Sequence, residues 1–251
     1  MTEQEDRLIK RFADLAARAQ RNYSYTYTGF LSQAEQDVLL KQARELSAPF
    51  LLWGEKENAE RRVAAFGSEA DFGYSPEWPV TVLEVRPLSE KFGEELSHRD
   101  YLGAVLGLGI DRSLTGDIII RGKTGWLYCL ESIADFLCEN LTAVRHTSVR
   151  CGRVSGEVPE LAPKLQTESL NVASERADAV IAAVTKLSRT KTAELFKAQR
   201  VYVGGRLLAD PGRALKEGDR VSVRGFGKFI YRGVVGETKK GRCYVIVERY
   251  V

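Results

Sequence analysis

The sequence predicts an α+β protein in three parts: a small mixed α/β N-terminal subdomain over residues 1–75, a central domain over 76–160, and a basic C-terminal domain over 164–251. Three observations carry this. Apolar residues at helical spacing and at two-residue alternation succeed one another without a regular repeat, the central segment reads strand, helix, strand, strand, helix, strand, and charge is segregated along the chain. Residues 164–251 hold 18 Lys and Arg against 9 Asp and Glu, a net +9, while the 163 residues before them hold 19 against 25, a net −6, and together these give the chain's +3. Such asymmetry points to a polyanion met by one end of the molecule.

In the N-terminal part, a helix is expected from about Gln4 to Arg21. Tyr23 to Thr28 is β-prone and would carry its three tyrosines on one side if extended; packing on the adjacent helix is favoured over stacking on bases. Ser32 is a candidate cap for a helix reaching about Glu45. Phe50 to Trp53 and Arg61 to Phe66 read as strands flanking the charged turn Glu55-Lys56-Glu57-Asn58.

The central part has strands at Val80 to Arg86, Asp117 to Arg121, Trp126 to Leu130 and Ala143 to Arg153, with helices at His98 to Leu108 and Ser132 to Asn140. That order is the split βαβ, or ferredoxin-like, arrangement shared by many RNA-recognition motifs. Their third strand carries a Lys/Arg-Gly-aromatic-Gly signature for base stacking. Here Trp126 and Tyr128 on one face are the candidates, although a buried sheet face or a protein contact is the better reading.

The C-terminal part opens with Ser174 as a candidate N-cap and Ala177, Val180, Ile181, Val184 and Leu187 as one apolar stripe. Ser188 caps a second helix with Ala193, Leu195 and Phe196, and Arg189 and Lys191 lie in its first turn. Cations there oppose the helix dipole, at a cost of a few tenths of a kcal/mol. Free main-chain N–H groups beside two cations make a phosphate socket; the bland alternative is a solvated basic turn. Gln199 to Val203 alternates as a strand, Gly204-Gly205 is a hairpin signal, Asp210-Pro211-Gly212 is a turn, and Val221 to Arg224 is a strand entered through Gly218-Asp219.

This segment resembles the RNA-binding module of ribosomal protein S-four over about fifty residues. The module's Arg-x-Asp start is Arg176-Ala177-Asp178, its Ser-Arg basic helix is Ser188-Arg189-Thr190-Lys191, and its Arg-Val-x-Val-x-Gly strand is Arg200-Val201-Tyr202-Val203-Gly204-Gly205. The resemblance implies binding of structured RNA through the two-helix face. The residues expected to carry it are Arg176, Ser188, Arg189, Thr190, Lys191, Lys197, Arg200, Arg224 and Lys228.

Catalytic motifs fail on inspection. His98-Arg99-Asp100 and Asp71-Phe72-Gly73 stand in the reverse of the protein-kinase order and lack a Gly-rich loop. Gly116 and Gly122-Lys123-Thr124 miss the P-loop spacing by one residue and enclose three isoleucines, which suit a strand. Four cysteines without C-x-x-C spacing and two histidines predict reduced thiols, no metal and no cofactor. No run approaches the ~18 apolar residues of a membrane span, and the N-terminus is charged, so a cytoplasmic protein without a membrane partner or small-molecule substrate is expected.

The stretch His98 to Ile110 (HRDYLGAVLGLGI), Gly116-Asp117-Ile118, Ile133 to Leu137 and Ser222 to Phe229 (SVRGFGKF) resembles the bacterial YlmH family. That resemblance implies a non-catalytic factor of the large ribosomal subunit. It would meet ribosomal RNA and tRNA in the quality-control pathway for subunits still carrying peptidyl-tRNA. The alternative is an RNA-modifying enzyme of pseudouridine-synthase type that uses the module for delivery. The Gly-Arg-Leu-Asp-like strand of those synthases is not found.

Overall fold

The computed structural model describes residues 3–54, 59–90, 93–154, 156–159, 165–238 and 241–250; the charged turn expected at 55–58 lies outside them. The fold is α+β with several antiparallel sheets. Close contacts divide the chain into two units, Met1–Ala162 and Pro163–Val251. The segments read above as residues 1–75 and 76–160 thus share the first unit.

That unit opens with α1 (Glu3–Asn22), whose acidic first turn and Arg21 in the last turn complement the helix dipole. Phe12, Ala16 and Ala19 recur along its buried face. Tyr23 takes a left-handed φ of 49°, which breaks the extended run, so only Thr26–Tyr27 forms β1 and Tyr23 does not share the buried side of Tyr25. Tyr23 is 73% exposed whereas Tyr25 packs edge-on against Phe72 and Tyr74. Ser32 caps α2 (Gln33–Gln42) in a reciprocal box in which its main-chain N–H donates to Glu35 Oε2 at 2.7 Å. Strands β2 (Phe50–Leu52) and β3 (Ala64–Phe66) complete a three-stranded sheet of order β1-β3-β2, followed by the single-turn α3 (Glu69–Phe72).

The same unit holds β4 (Val80–Pro87), α4 (His98–Gly107), β5 (Thr115–Arg121), β6 (Thr124–Leu130), α5 (Ala134–Asn140), β7 (Ala143–Val144) and β8 (Thr147–Arg153) in a sheet of order β5-β6-β4-β8-β7. The last strand expected over 143–153 is split, because Arg145 adopts a left-handed φ of 53° and turns β7 back on β8. Leu83, Val85, Leu127, Cys129, Val149 and Cys151 face Tyr101, Val105 and Leu137 of the two helices in one core. Asp100 sits three residues after the cap position and accepts the Ser97 main-chain N–H at 2.8 Å, a helix-start role. That hydrogen bonding with Ser97 holds its carboxyl below the usual range. Ile118 belongs to this core and Ile119 to the opposite face, as a strand requires.

The opposite face of this sheet is covered from within the unit. Phe30, Val63, Ile119 and Tyr128 form a second cluster with Tyr27, Trp53, Trp78, Val80, Val82 and Trp126. Gly116 permits it: a Cβ there would lie 2.5 Å from the Phe30 ring. Polar bonds fasten the seam. Arg61 donates to the carbonyls of Thr115 at 3.1 Å, Phe30 at 2.6 Å and Arg112 at 3.2 Å, and Arg112 donates to Thr115 and Gly116. Asp117 accepts the main-chain N–H groups of Glu60 at 2.7 Å and Arg61 at 3.2 Å. Burial pushes the Asp117 carboxyl up to about 6 and the Arg112 guanidinium down to about 10.

The second unit is a six-stranded antiparallel sheet carrying two helices. Its elements are β9 (Leu165–Val172), α6 (Ala177–Thr185), α7 (Arg189–Lys197), β10 (Val201–Val203), β11 (Arg206–Leu207), β12 (Arg220–Val223), β13 (Gly227–Glu237) and β14 (Cys243–Tyr250), in the order β11-β10-β12-β13-β14-β9. Ala177, Val180, Ile181 and Val184 are buried against Val201, Val221, Phe229 and Tyr231, as their spacing predicts. In α7, Thr192 is buried beside Leu195 and Phe196, while Ala193 is exposed. Gly204 and Gly205, with φ of 56° and 76°, make the tight turn between β10 and β11.

Candidate nucleic-acid interface

Helix α6 begins two residues later than the Ser174 cap would place it. Arg176 is the N-cap, and the loop after Asp210 satisfies the first donors: Ala177 N–H meets Arg213 O at 2.9 Å and Asp178 N–H meets Pro211 O at 3.0 Å. Arg176 grips Asp178 in a two-pronged pair, Nε to Oδ1 at 3.1 Å and Nη2 to Oδ2 at 2.9 Å. That bonding with Arg176 comes first among the influences holding the Asp178 carboxyl below its ordinary range, and Arg189 adds to it. The Arg176 side chain is therefore already engaged within the helix start. With Ser174, Asp178, Arg189, Ala193 and Pro211 it lines a groove of about 400 Å³.

Helix α7 follows the sequence more closely. Ser188 is its N-cap, and the Lys191 N–H points to Ser188 Oγ at 3.4 Å. Arg189, Thr190 and Lys191 are exposed. Among the described residues no carboxylate forms an ion pair with Arg189 or Lys191, in contrast to Arg176, Arg213, Arg232 and Arg249 of the same unit. First-turn main-chain donors and two uncommitted cations thus share one surface.

A second basic group gathers where α7 runs into the sheet. Lys197 closes the helix in its last turn, where the dipole favours a cation. Arg200 and Arg224 bind through the main chain, Arg224 N–H to Arg200 O at 2.8 Å. The Arg224 guanidinium lies 4.7 Å from the centre of the Tyr202 ring, a cation–π contact. Register places Tyr202 opposite Ser222, and Ser222 opposite Lys228. Gly225, at φ 92°, lets the Arg200 guanidinium approach to 2.6 Å of where a Cβ would stand. Phe226, 40% exposed, occupies the turn between Gly225 and Gly227. The sequence reading did not single out Tyr202 or Phe226; for Phe226, an aromatic residue two positions from Arg224 and two from Lys228 was the available signal. A nine-residue helix separates the two basic groups by about 12 Å.

The aromatic candidates on the central sheet fall elsewhere. Tyr128 is only 7% exposed and its ring lies 5.5 Å from that of Trp53, so the base-stacking expectation is corrected: the N-terminal segment occupies that surface. Trp126 is half-buried in the same cluster, and its indole N–H is buried with no hydrogen-bond partner among the described residues.

Two of the thiols, Cys129 and Cys151, are unreactive by environment. Burial raises Cys129 and Cys151 to about 12, and Cys138 hydrogen-bonds Cys151. Among the described residues no group of three His, Cys, Asp or Glu side chains is placed to hold a metal ion. No described helix is long and apolar enough to cross a membrane.

Comparison with known proteins gives three likenesses. Residues 75–157 match the family model described as "Putative RNA-binding domain in YlmH". The chain is 29% identical over 231 residues, 92% of its length and 89% of the relative's, to "Ribosome-associated protein quality control protein P2" of Bacillus subtilis (strain 168). It also resembles the solved structure of "Cell division protein ylmH from Streptococcus pneumoniae", with a TM-score of 0.50 and 19% identity over 61% of this chain and 93% of that one.

Proposed function

We propose that this chain is a non-catalytic RNA-binding protein of the YlmH family, working on the ribosome. In this reading the second unit is an S-four-like module and supplies most of the RNA affinity, while the central sheet is a ferredoxin-like domain packed against the N-terminal segment. The observation that carries the proposal is the start of α7, where Arg189 and Lys191 stand exposed without carboxylate partners among the described residues, in the first turn of a helix. The name of the Bacillus subtilis relative supports a ribosomal setting. The finer assignment is to the large subunit carrying peptidyl-tRNA, with contacts to ribosomal RNA and tRNA in the cytoplasm. It follows the family resemblance and the fit of a basic two-helix face to folded RNA recognised by backbone shape.

A catalytic reading gains nothing from the one carboxylate among the described residues whose pKa is raised. Both Asp117 oxygens accept main-chain N–H groups in the seam of the first unit. The direct test is the full chain with Arg189→Glu and Lys191→Glu. Affinity for ribosomal RNA should fall by about 30- to 100-fold, and the slope of log affinity against log salt should lose about 0.7 to 0.9 for each phosphate contact given up. Unchanged affinity in a variant that keeps its circular dichroism spectrum would remove the helix start from the interface.

A further inference from the structure

The outer face of the central sheet is covered over only part of its length. Val80, Val82, Ile119, Trp126 and Tyr128 lie under the N-terminal segment. The same face continues past them to Glu84 and Arg86 on β4, Thr124 on β6, Arg121 on β5 and Arg150 on β8, because side chains two apart along a strand share a face. The register aligns these positions. Arg121 pairs with Thr124, Arg86 stands one residue beyond the Val85–Gly125 pair and so faces Thr124, and Arg86 pairs with Arg150. Arg121, Thr124, Arg86 and Arg150 therefore form one row across four strands, about 15 Å long at roughly 4.8 Å per strand.

All three arginines of the row are exposed. Arg86 is held by Glu84 at 2.7 Å, Arg121 reaches its neighbour's carbonyl, Ile120 O, at 3.1 Å, and Arg150 has no carboxylate partner among the described residues. One carboxylate among three guanidiniums leaves the row positive within a part of the chain, residues 1–163, that carries a net −6. Like charges placed directly opposite each other weaken a sheet, and Arg86 and Arg150 are so placed. A polyanion lying along the row would relieve that repulsion, and planar guanidiniums suit phosphate oxygens.

We infer that the row Arg121–Arg86–Arg150 binds the phosphate backbone of RNA, as a second contact separate from α7. The inference rests on the RNA-binding reading above and adds the surface by which the first unit takes part. Its test uses the full chain with Arg121→Gln and Arg150→Gln, leaving the Arg86–Glu84 pair in place. Binding is measured to an oligouridylate of about 20 nucleotides and to an RNA duplex of about 20 base pairs, across roughly 0.05 to 0.2 M salt.

The expected result is an affinity about tenfold lower for at least one probe and a salt slope shallower by about 1.4 to 1.8, from two lost phosphate contacts. The melting temperature should be unchanged or higher, since the opposed pair is gone. A variant with Lys at both positions should keep most of the slope. Unchanged affinity and slope in the Gln variant, while Arg189→Glu with Lys191→Glu abolishes binding, would overturn the row alone. So would a loss that Lys does not restore and that accompanies a lower melting temperature. Retained RNA affinity with lost binding to intact ribosomal subunits would give the row to a ribosomal protein and equally overturn it. A wild-type chain that binds neither probe would bring down the RNA reading and the row together.

Discussion

Two sets of basic residues, one in each unit, are used in opposite ways. In the first, Arg61 and Arg112 turn inward and hydrogen-bond main-chain carbonyls, and with Asp117 they tie the N-terminal segment to the central sheet. In the second, Arg189, Lys191, Arg200 and Arg224 stay at the surface with no carboxylate partner among the described residues. A count of charges does not separate these cases; the destination of each donor does. A guanidinium whose donors are already bonded inside the fold stabilises it. One that is solvated and unpaired is available to a polyanion.

The sharpest way to break this contrast is at Asp117. Asp117→Ala should destabilise the first unit by about 2–6 kcal/mol, because it leaves the main-chain N–H groups of Glu60 and Arg61 unpaired, at about 1–3 kcal/mol each. Denaturant unfolding measures this. The affinity for RNA under native conditions should be unaffected, and an affinity loss without unfolding would blur the division between the units.

A pH profile sharpens the same point. Burial raises the Asp117 carboxyl in the folded state to about 6 from its ordinary 3.8, so the folded protein holds this proton more tightly than the unfolded chain. The stability it contributes is fully present below about pH 3.8 and is lost as pH rises through about 6, a change of about 3 kcal/mol. The stability difference between wild type and Asp117→Asn, followed from pH 4 to pH 7, should show that fall. A flat difference would mean that the carboxylate is better solvated than its surroundings indicate.

The smallest effect concerns α7. Arg189→Glu and Lys191→Glu put negative charge at the positive end of the helix dipole, so each should raise stability by about 0.3–1 kcal/mol even as RNA binding falls. Thermal melting of the double variant decides it. A lower melting temperature would mean that these cations support the fold.

Much of this architecture is legible in the sequence, where the signal is local. Ser32 and Ser188 announce helix starts, Ala177, Val180, Ile181 and Val184 mark a buried stripe, and Gly204-Gly205 marks a turn with two positive φ angles. What escapes is set by distant partners. Strand β9 has mostly polar, exposed residues and is fixed by eight paired positions on β14, more than seventy residues away. The left-handed Arg145, which splits the last strand of the central sheet, is not a glycine and gives no warning. Arg61 looks like any basic residue until its carbonyl partners around residues 112–115 are known. Trp126 and Tyr128 read better as a buried face than as a base-stacking one, but the sequence does not reveal that Trp53 and Phe30 are what cover it. The row Arg121, Arg86 and Arg150 exists only once the register is known.

The central claim is that the second unit carries most of the affinity for the ribosome. Its core, from Val172 to Val247, is built wholly from its own residues, so the two units can be produced separately. Sedimentation of each with purified ribosomal subunits at about 0.1 M salt, where charges are screened beyond roughly 10 Å, is the direct measurement. The account predicts that residues 163–251 co-migrate with the large subunit and that residues 1–162 do so weakly, through the arginine row. Strong co-migration of residues 1–162, with residues 163–251 left at the top of the gradient, would contradict it.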